Sequence, residues 1–111
     1  ADVRDAVRAY YMLVTEKPKF GEVYNIGGNK TMSIEEILNY LISISKKKNK
    51  IKIKLDKERL RPIDADLQIP DVSKFKNHTG WEPKISYKKT LKDLLDYWRE
   101  KVKSEGIFFK R

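Results

Sequence analysis

The sequence EVYNIGGNKTMSIEEILNYLISISKKKNKIKIKL, residues 22–55, contains three consecutive secondary-structure signals. Its first five residues are rich in β-branched and aromatic side chains and predict a short strand. Ser33, with Glu36 three residues later, predicts a helix that begins with a capping box. Residues 51–55 (IKIKL) alternate with the period of a half-buried strand. Two strands joined by a helix predict a βαβ unit with parallel strands and a right-handed crossover.

Three more helices are expected on either side of this unit. Asp2, Asp71 and Ser86 are suitable caps for their starts, and Gly80 and Gly106 are suitable stops. The predicted fold is therefore a small α/β lobe of about four helices and a two-stranded parallel sheet, with residues 1–111 as one domain. Apolar side chains at helical spacing predict a buried face on the first helix, at Val3, Val7, Tyr10, Tyr11 and Val14. Core positions are also expected at Tyr24, Trp81, Leu94, Leu95 and Trp98, with Trp81 packing the third helix against the last.

Composition excludes several classes of protein. The 111 residues include no cysteine, which rules out disulfides and thiolate metal sites and favours a cytoplasmic protein. No apolar run approaches the roughly 18 residues that a membrane span needs. The net charge of +9 is mostly lysine spread along the chain, and its one dense run, residues 46–48 with Lys50, follows a predicted helix end. That run is interpreted as a solvated helix end rather than an anion patch.

The chain offers no convincing catalytic group. His78 is its single histidine, without the spacing of a zinc site or a catalytic triad. Gly27-Gly28 lies between a predicted strand and helix, where a tight turn is favoured over a phosphate-binding loop. Tyr97 and Lys101 fit the YxxxK spacing, but they lie on the last helix and the match is interpreted as chance. No catalytic, cofactor-binding or metal-binding residue is predicted.

The most distinctive polar segment is RLRPID, residues 59–64. Pro62 biases Arg61 towards an extended backbone, so the guanidinium projects from a stiff loop and can bind a diphosphate through paired hydrogen bonds. Asp64 can accept from a ribose hydroxyl or a base N–H. From these residues alone, a surface ion pair between Arg61 and Asp64 is the favoured interpretation, and it would contribute under about 1 kcal/mol.

Several motifs resemble those of extended short-chain dehydrogenases that act on nucleotide sugars. VRDAVRAY at 3–10 and GEVYNIG at 21–27 resemble motifs shared by many epimerases and dehydratases. RPID at 61–64, TGWEP at 79–83 and TLKDLLDYWR at 90–99 are similar to the narrower GDP-mannose 4,6-dehydratase family and its 4-keto-6-deoxymannose reductase relatives.

The resemblance implies a GDP-sugar substrate, GDP-mannose in the dehydratases. It also implies an N-terminal Rossmann half that binds NADP, a homo-oligomer when intact, and catalysis by a YxxxK pair outside this chain. It assigns Arg61 to the diphosphate and Asp64 to the nucleoside, although Asp64 is one methylene shorter than the Glu of many dehydratases. Arg8 matches a helix arginine near the substrate channel.

The chain is thus expected to be a C-terminal substrate-binding lobe, inactive alone, with apolar surface that promotes self-association. The nearest alternative is the same lobe of a reductase, or of another nucleotide-sugar epimerase or dehydratase. A folded remnant that cannot hold nucleotide alone also stays open. A basic nucleic-acid-binding module is disfavoured, because no such motif is present and the aromatic residues fall on predicted core faces.

Overall fold

Four α-helices dominate the computed structural model, which describes residues 1–62 and 66–106. A π-helical turn, Met12–Glu16, continues the first helix, and a short 3-10 turn, Lys57–Arg59, precedes the loop that carries Arg61. The helices are α1 (Val3–Tyr11), α2 (Ile34–Ile44), α3 (Ser73–Thr79) and α4 (Tyr87–Glu105).

Side-chain caps begin three of these helices at the predicted residues. Asp2 accepts a 2.8 Å hydrogen bond from the backbone N–H of Arg4 at the start of α1. Both bonds of the Ser33–Glu36 capping box are present at α2. Ser86 accepts from the third residue of α4. Three of the four predicted caps are therefore confirmed, because a capping bond is made within a few residues of chain. The prediction of Asp71 as the cap of α3 is wrong, since Val72 is the N-cap, although Asp71 accepts from the backbone N–H of Ser73 at 3.0 Å.

The predicted α/β class is wrong for the described residues, which form no strand. Residues 22–26 and 51–55 have no regular secondary structure. A strand needs a neighbour to pair its backbone N–H and C=O groups, and these two segments do not pair with each other. Ile51, Ile53 and Leu55 are 44%, 59% and 69% exposed, so the alternating pattern has no apolar layer beneath it. The predicted two-stranded parallel sheet is therefore absent from this part of the chain.

The small core lies between α1 and α3. Ala9, Phe75 and Trp81 are almost fully buried. The ring centroids of Phe75 and Trp81 are 5.7 Å apart, and Tyr24 lies 5.3 Å from Phe75. Trp81 therefore packs α3 against α1, and the prediction that it would pack α3 against α4 is wrong. Gly80, with φ of 76° in the left-handed region, ends α3 and turns the chain so that Trp81 enters this core.

Much of the predicted apolar surface stays exposed. The five predicted face residues of α1 are between 61% and 72% exposed, whereas α1 buries Asp5 and Ala9 instead. On α4, Leu94 and Trp98 are also exposed, and Leu91 is buried. These core predictions fail because helical periodicity identifies an apolar face without identifying what covers it.

The molecule is more open than a self-sufficient domain of its size. Its accessible surface is 9911 Å², against about 6,400 Å² for a typical folded monomer of this mass. Its radius of gyration is 18.1 Å, against about 13 Å for a compact chain of this length. The described helices therefore leave apolar faces exposed, because they do not pack against one another closely enough to cover them.

Candidate functional site

A buried carboxylate joins α1 to the segment that leads into α4. Asp5 is 2% exposed and accepts hydrogen bonds from the backbone N–H groups of Lys84 and Ile85 at 3.0 and 2.9 Å. Its other oxygen pairs with Arg8 at 3.0 Å. Because these bonds fix the segment just before Tyr87, they hold the start of α4 beside the N-terminus of α1.

Asp2, the N-cap of α1, and Asp5, in its first turn, both have lowered pKa values. Burial alone would raise the pKa of Asp5, but hydrogen bonds from Ile85, Arg8 and Lys84 outweigh it and bring the pKa below its ordinary value. The Arg4 guanidinium lowers the pKa of Asp2 strongly, against the opposing effect of burial, and the Thr90 hydroxyl adds to the decrease. Both carboxylates are therefore charged structural groups of the folded chain at neutral pH.

An open cleft lies at the Gly27-Gly28 turn. Its volume is about 880 Å³, and it is lined by residues 27–28, 30–34, 59–61 and 66–68, with Ala1, Pro70 and Tyr87. The residues that lead into α2 and the loop after the Lys57–Arg59 turn both line the cleft. The turn and the RLRP segment, which sequence treats as separate signals, therefore lie on the same cleft.

The ionisable residues on this cleft are mostly cationic. Lys30, Arg59 and Arg61 line it, together with one acid, Asp66. Arg59 also pairs with Asp56 at 3.1 Å, and Arg61 is exposed. A cleft with this charge balance suits a ligand that carries two or more negative charges.

The three residues predicted to bind substrate have different surroundings. Arg61 lies on the cleft. Asp64 lies outside the described residues. Arg8 donates to Asp5 and to the backbone carbonyl of Glu82, and its guanidinium lies 5.8 Å from the ring centroid of Trp81. Arg8 thus supports the packing of α1, and its role at a substrate stays a prediction.

The residues considered for catalysis lie elsewhere. His78 hydrogen-bonds to the backbone carbonyl of Lys17 at 2.8 Å and stacks on Tyr24. Tyr97 and Lys101 lie on α4 beside an acidic surface groove that shares no lining residue with the cleft. Over residues 1–62 and 66–106, no cluster of three or more histidine and acidic side chains could hold a metal.

Sequence reasoning missed two cationic residues of the cleft. Lys30 follows the Gly-Gly-Asn turn directly, and Arg59 belongs to the polar RLRPID segment, in which the sequence predicts binding roles for Arg61 and Asp64. A turn that places a lysine three residues before a helix cap was a usable signal, because the start of a helix favours anions. The sequence pattern of neither segment predicts that the residues around Lys30 and those around Arg59 lie close together.

Comparison with known proteins identifies the family of the chain that carries this cleft. The family model described as GDP-mannose 4,6 dehydratase matches residues 1–94. The dTDP-D-glucose 4,6-dehydratase of Homo sapiens is 33% identical over 99 residues, which cover 86% of this chain and 28% of that protein.

Two further relatives carry related names. GDP-6-deoxy-D-mannose reductase of Pseudomonas aeruginosa is 28% identical over 94% of this chain and 33% of its own length. GDP-mannose 4,6 dehydratase 1 of Arabidopsis thaliana is 30% identical over 93% of this chain and 28% of its own length.

These matches relate the chain to a family of nucleotide-sugar enzymes. The chain belongs to the GDP-mannose 4,6-dehydratase family of nucleotide-sugar epimerases and dehydratases. It spans between 28% and 33% of the length of the three relatives described above. In the part of the chain that the structure describes, no helix is both long and apolar enough to cross a bilayer.

Proposed function

We propose that this chain is the GDP-sugar-binding part of a GDP-mannose 4,6-dehydratase. In the intact enzyme, GDP-mannose would be converted to GDP-4-keto-6-deoxymannose with loss of water. NADP would accept a hydride from the sugar and return it, so that the overall reaction involves no net oxidation. The observation that carries the proposal is the cleft on which Arg61 and Lys30 lie around the Gly27-Gly28 turn. The family match over residues 1–94 supports it.

Arg61 is the main diphosphate ligand in this proposal. Pro62 restricts the backbone just after it, so less conformational freedom is lost when the guanidinium binds. A guanidinium offers a planar pair of N–H donors that matches phosphate oxygens. Asp64 completes the site by accepting from the nucleoside, and Arg8 is a third proposed contact at the sugar end. Lys30 adds a second cation that lines the same cleft.

The NADP-binding half and the catalytic YxxxK pair are proposed to lie on a preceding Rossmann segment. The openness of the chain supports this arrangement, because its 9911 Å² of surface greatly exceeds that of a compact protein of its mass. The exposed face of α1 is a suitable docking surface for that segment. The chain alone would then bind substrate without converting it.

A reductase is the second candidate. The Pseudomonas aeruginosa relative is a GDP-6-deoxy-D-mannose reductase, and its match covers 94% of this chain. Both candidates would use the same diphosphate site, so the cleft does not separate them. Incubating the full-length parent protein with GDP-mannose, and separately with the 4-keto sugar and NADPH, separates a dehydratase from a reductase by the product formed.

The binding proposal is tested by NMR titration of the isotopically labelled chain with GDP-mannose, GDP and UDP-N-acetylglucosamine. We expect weak, saturable shifts at Gly28, Lys30 and Arg61, because the chain supplies part of the pocket. Arg61→Ala should weaken GDP binding roughly tenfold or more, the effect of losing a charge-assisted bond. Arg61→Lys should weaken it less.

Lys57→Ala is the matched control. It removes a positive charge close to Arg61 in sequence, and Lys57 does not line the cleft. Its GDP affinity should stay within about twofold of wild type, since an exposed charge outside the site is screened. The proposed site would be refuted if GDP caused the same chemical-shift changes in Arg61→Ala as in wild type. It would also be refuted if the changes occurred at residues outside the cleft. Arg8→Lys tests the third contact. Because Arg8 also pairs with Asp5, GDP binding must weaken by more than the loss of stability, measured by urea denaturation of the same variant, can explain.

A further inference from the structure

Gly27 has a neighbour that leaves no room for a side chain. A Cβ built on Gly27 would overlap Cγ of Pro70 and would lie 3.3 Å from its Cδ and 3.4 Å from its Cβ. The proline ring is closed onto its own backbone, so it cannot rotate away as a long flexible side chain could. The backbone at Gly27 and the ring of Pro70 are therefore in direct contact.

Backbone conformation does not explain a glycine at this position. The glycines with positive φ in the described residues are Gly21, Gly80 and Gly106. Gly27 adopts a backbone that alanine can also adopt, so the proline contact is what excludes a methyl group. The effect of a substitution at Gly27 can therefore be attributed to the contact with Pro70 and not to backbone strain.

The contact joins two chain segments that line the cleft. Gly27 and Gly28 belong to the first segment, which continues to Lys30, and Pro70 ends the second, which includes Asp66, Leu67 and Gln68. The Gly27–Pro70 contact therefore sets how closely these two segments approach each other. An atom added at Gly27 would act as a spacer between them.

We propose that Gly27 is a positioning residue that seats Pro70 and thereby sets the width of the cleft at the diphosphate. It needs no contact with the ligand. The ligand in this inference rests on the proposed function, whereas the seating of Pro70 on Gly27 does not. A methyl group at Gly27 would move Pro70 by roughly 1 Å, a displacement large enough to weaken a preorganised site strongly.

Three variants test the inference in the full 111-residue chain: Gly27→Ala, the double variant Gly27→Ala with Pro70→Ala, and Gly21→Ala. The double variant removes the ring atoms that overlap and keeps Cβ of residue 70 at an ordinary contact distance of 3.4 Å. Gly21→Ala is the control for generic strain, because Gly21 has φ of 77° and nothing within 4 Å of an added Cβ.

The first measurement is the NMR spectrum without ligand. Gly27→Ala should shift the amides of Arg61, Leu67 and Gln68, the double variant should return them towards wild type, and Gly21→Ala should leave them unchanged. NOEs between the α protons of Gly27 and the ring protons of Pro70 are expected in the wild type. Absence of those NOEs, or equal shifts in the control, overturns the inference.

The second measurement is a titration with inorganic pyrophosphate and with GDP. Gly27→Ala should bind GDP roughly tenfold more weakly, and the double variant should recover most of that loss. Unchanged affinity in Gly27→Ala alongside a loss in Arg61→Ala overturns the role of Gly27 and leaves the proposed function standing. A wild-type chain that binds neither probe overturns the proposed diphosphate site, and the ligand-free spectra still decide the Gly27–Pro70 contact.

Discussion

The indole N–H of Trp81 donates a 3.0 Å hydrogen bond to the backbone carbonyl of Asp5, across 76 residues of sequence. The same Asp5 accepts, through its side chain, from the backbone N–H groups of Lys84 and Ile85. All three bonds are donated by residues 81–85 and accepted by Asp5 on α1. They connect the first third of the chain to the last third, and both thirds contribute residues to the same small core.

Replacing Trp81 should be the most damaging of the core substitutions. Trp81→Phe leaves the Asp5 carbonyl without its buried donor, and we expect a loss of about 1–3 kcal/mol in the free energy of unfolding. Trp81→Ala should cost about 3–5 kcal/mol through the added cavity. Urea denaturation followed by circular dichroism measures both. Phe20→Leu, at a side chain that is 97% exposed, should change stability by under about 0.5 kcal/mol.

Acid should destabilise the chain through Asp2 and Asp5. Their pKa values are lowered in the folded state, so their contribution is present above the unfolded aspartate value of 3.8 and is lost as pH falls below it. Urea denaturation between pH 7 and pH 3 should show the free energy of unfolding falling at the acid end. Asp5→Asn should flatten this fall. A matching effect from Asp56→Asn, at the exposed partner of Arg59, would contradict the assignment.

The capping box at α2 should contribute measurably to stability. The backbone N–H of Glu36 donates to the Ser33 hydroxyl at 3.1 Å, and the backbone N–H of Ser33 donates to the Glu36 carboxylate at 2.7 Å. Ser33→Ala should cost about 1 kcal/mol. Ser43→Ala, inside the same helix, should be neutral or slightly stabilising because alanine favours helices. Equal losses from both would show that the cap is not the cause.

The exposed face of α1 should promote self-association of the chain. Val7 and Tyr11 are 62% and 61% exposed and lie on one apolar face. Light scattering should give a mass that rises with concentration, and the double variant Val7→Lys with Tyr11→Lys should reduce that rise. Lys47→Glu, in the lysine run after α2, should not reduce it. A strict monomer at high concentration in the wild type would contradict this prediction.

The caps and stops of the helices are the part of the fold that local sequence signals predict. Asp2, Ser33 and Ser86 cap helices at the predicted residues, and Gly80 ends α3 with the left-handed backbone expected of it. The two predicted strands failed for one reason. Residues 51–55 have the right alternation, but alternation describes one strand, whereas a sheet exists only when a second segment pairs with it.

In the candidate site, too, local features were predictable from sequence and long-range contacts were not. The stiff Arg-Pro segment and the Gly-Gly turn were both visible in the sequence, and the resemblance supplied a possible ligand. Their placement on one cleft, the presence of Lys30 there and the contact between Gly27 and Pro70 were not visible. Each of these joins segments that are tens of residues apart.

Helix caps, turn glycines, charge and family membership follow from the amino-acid sequence alone, because each depends on neighbouring residues or on the residues as a string. The partners of Trp81 and Asp5, the exposure of the α1 face and the width of the cleft were decided by tertiary structure. These depend on which distant segments meet and on which apolar faces find cover, and such contacts are set by packing in three dimensions.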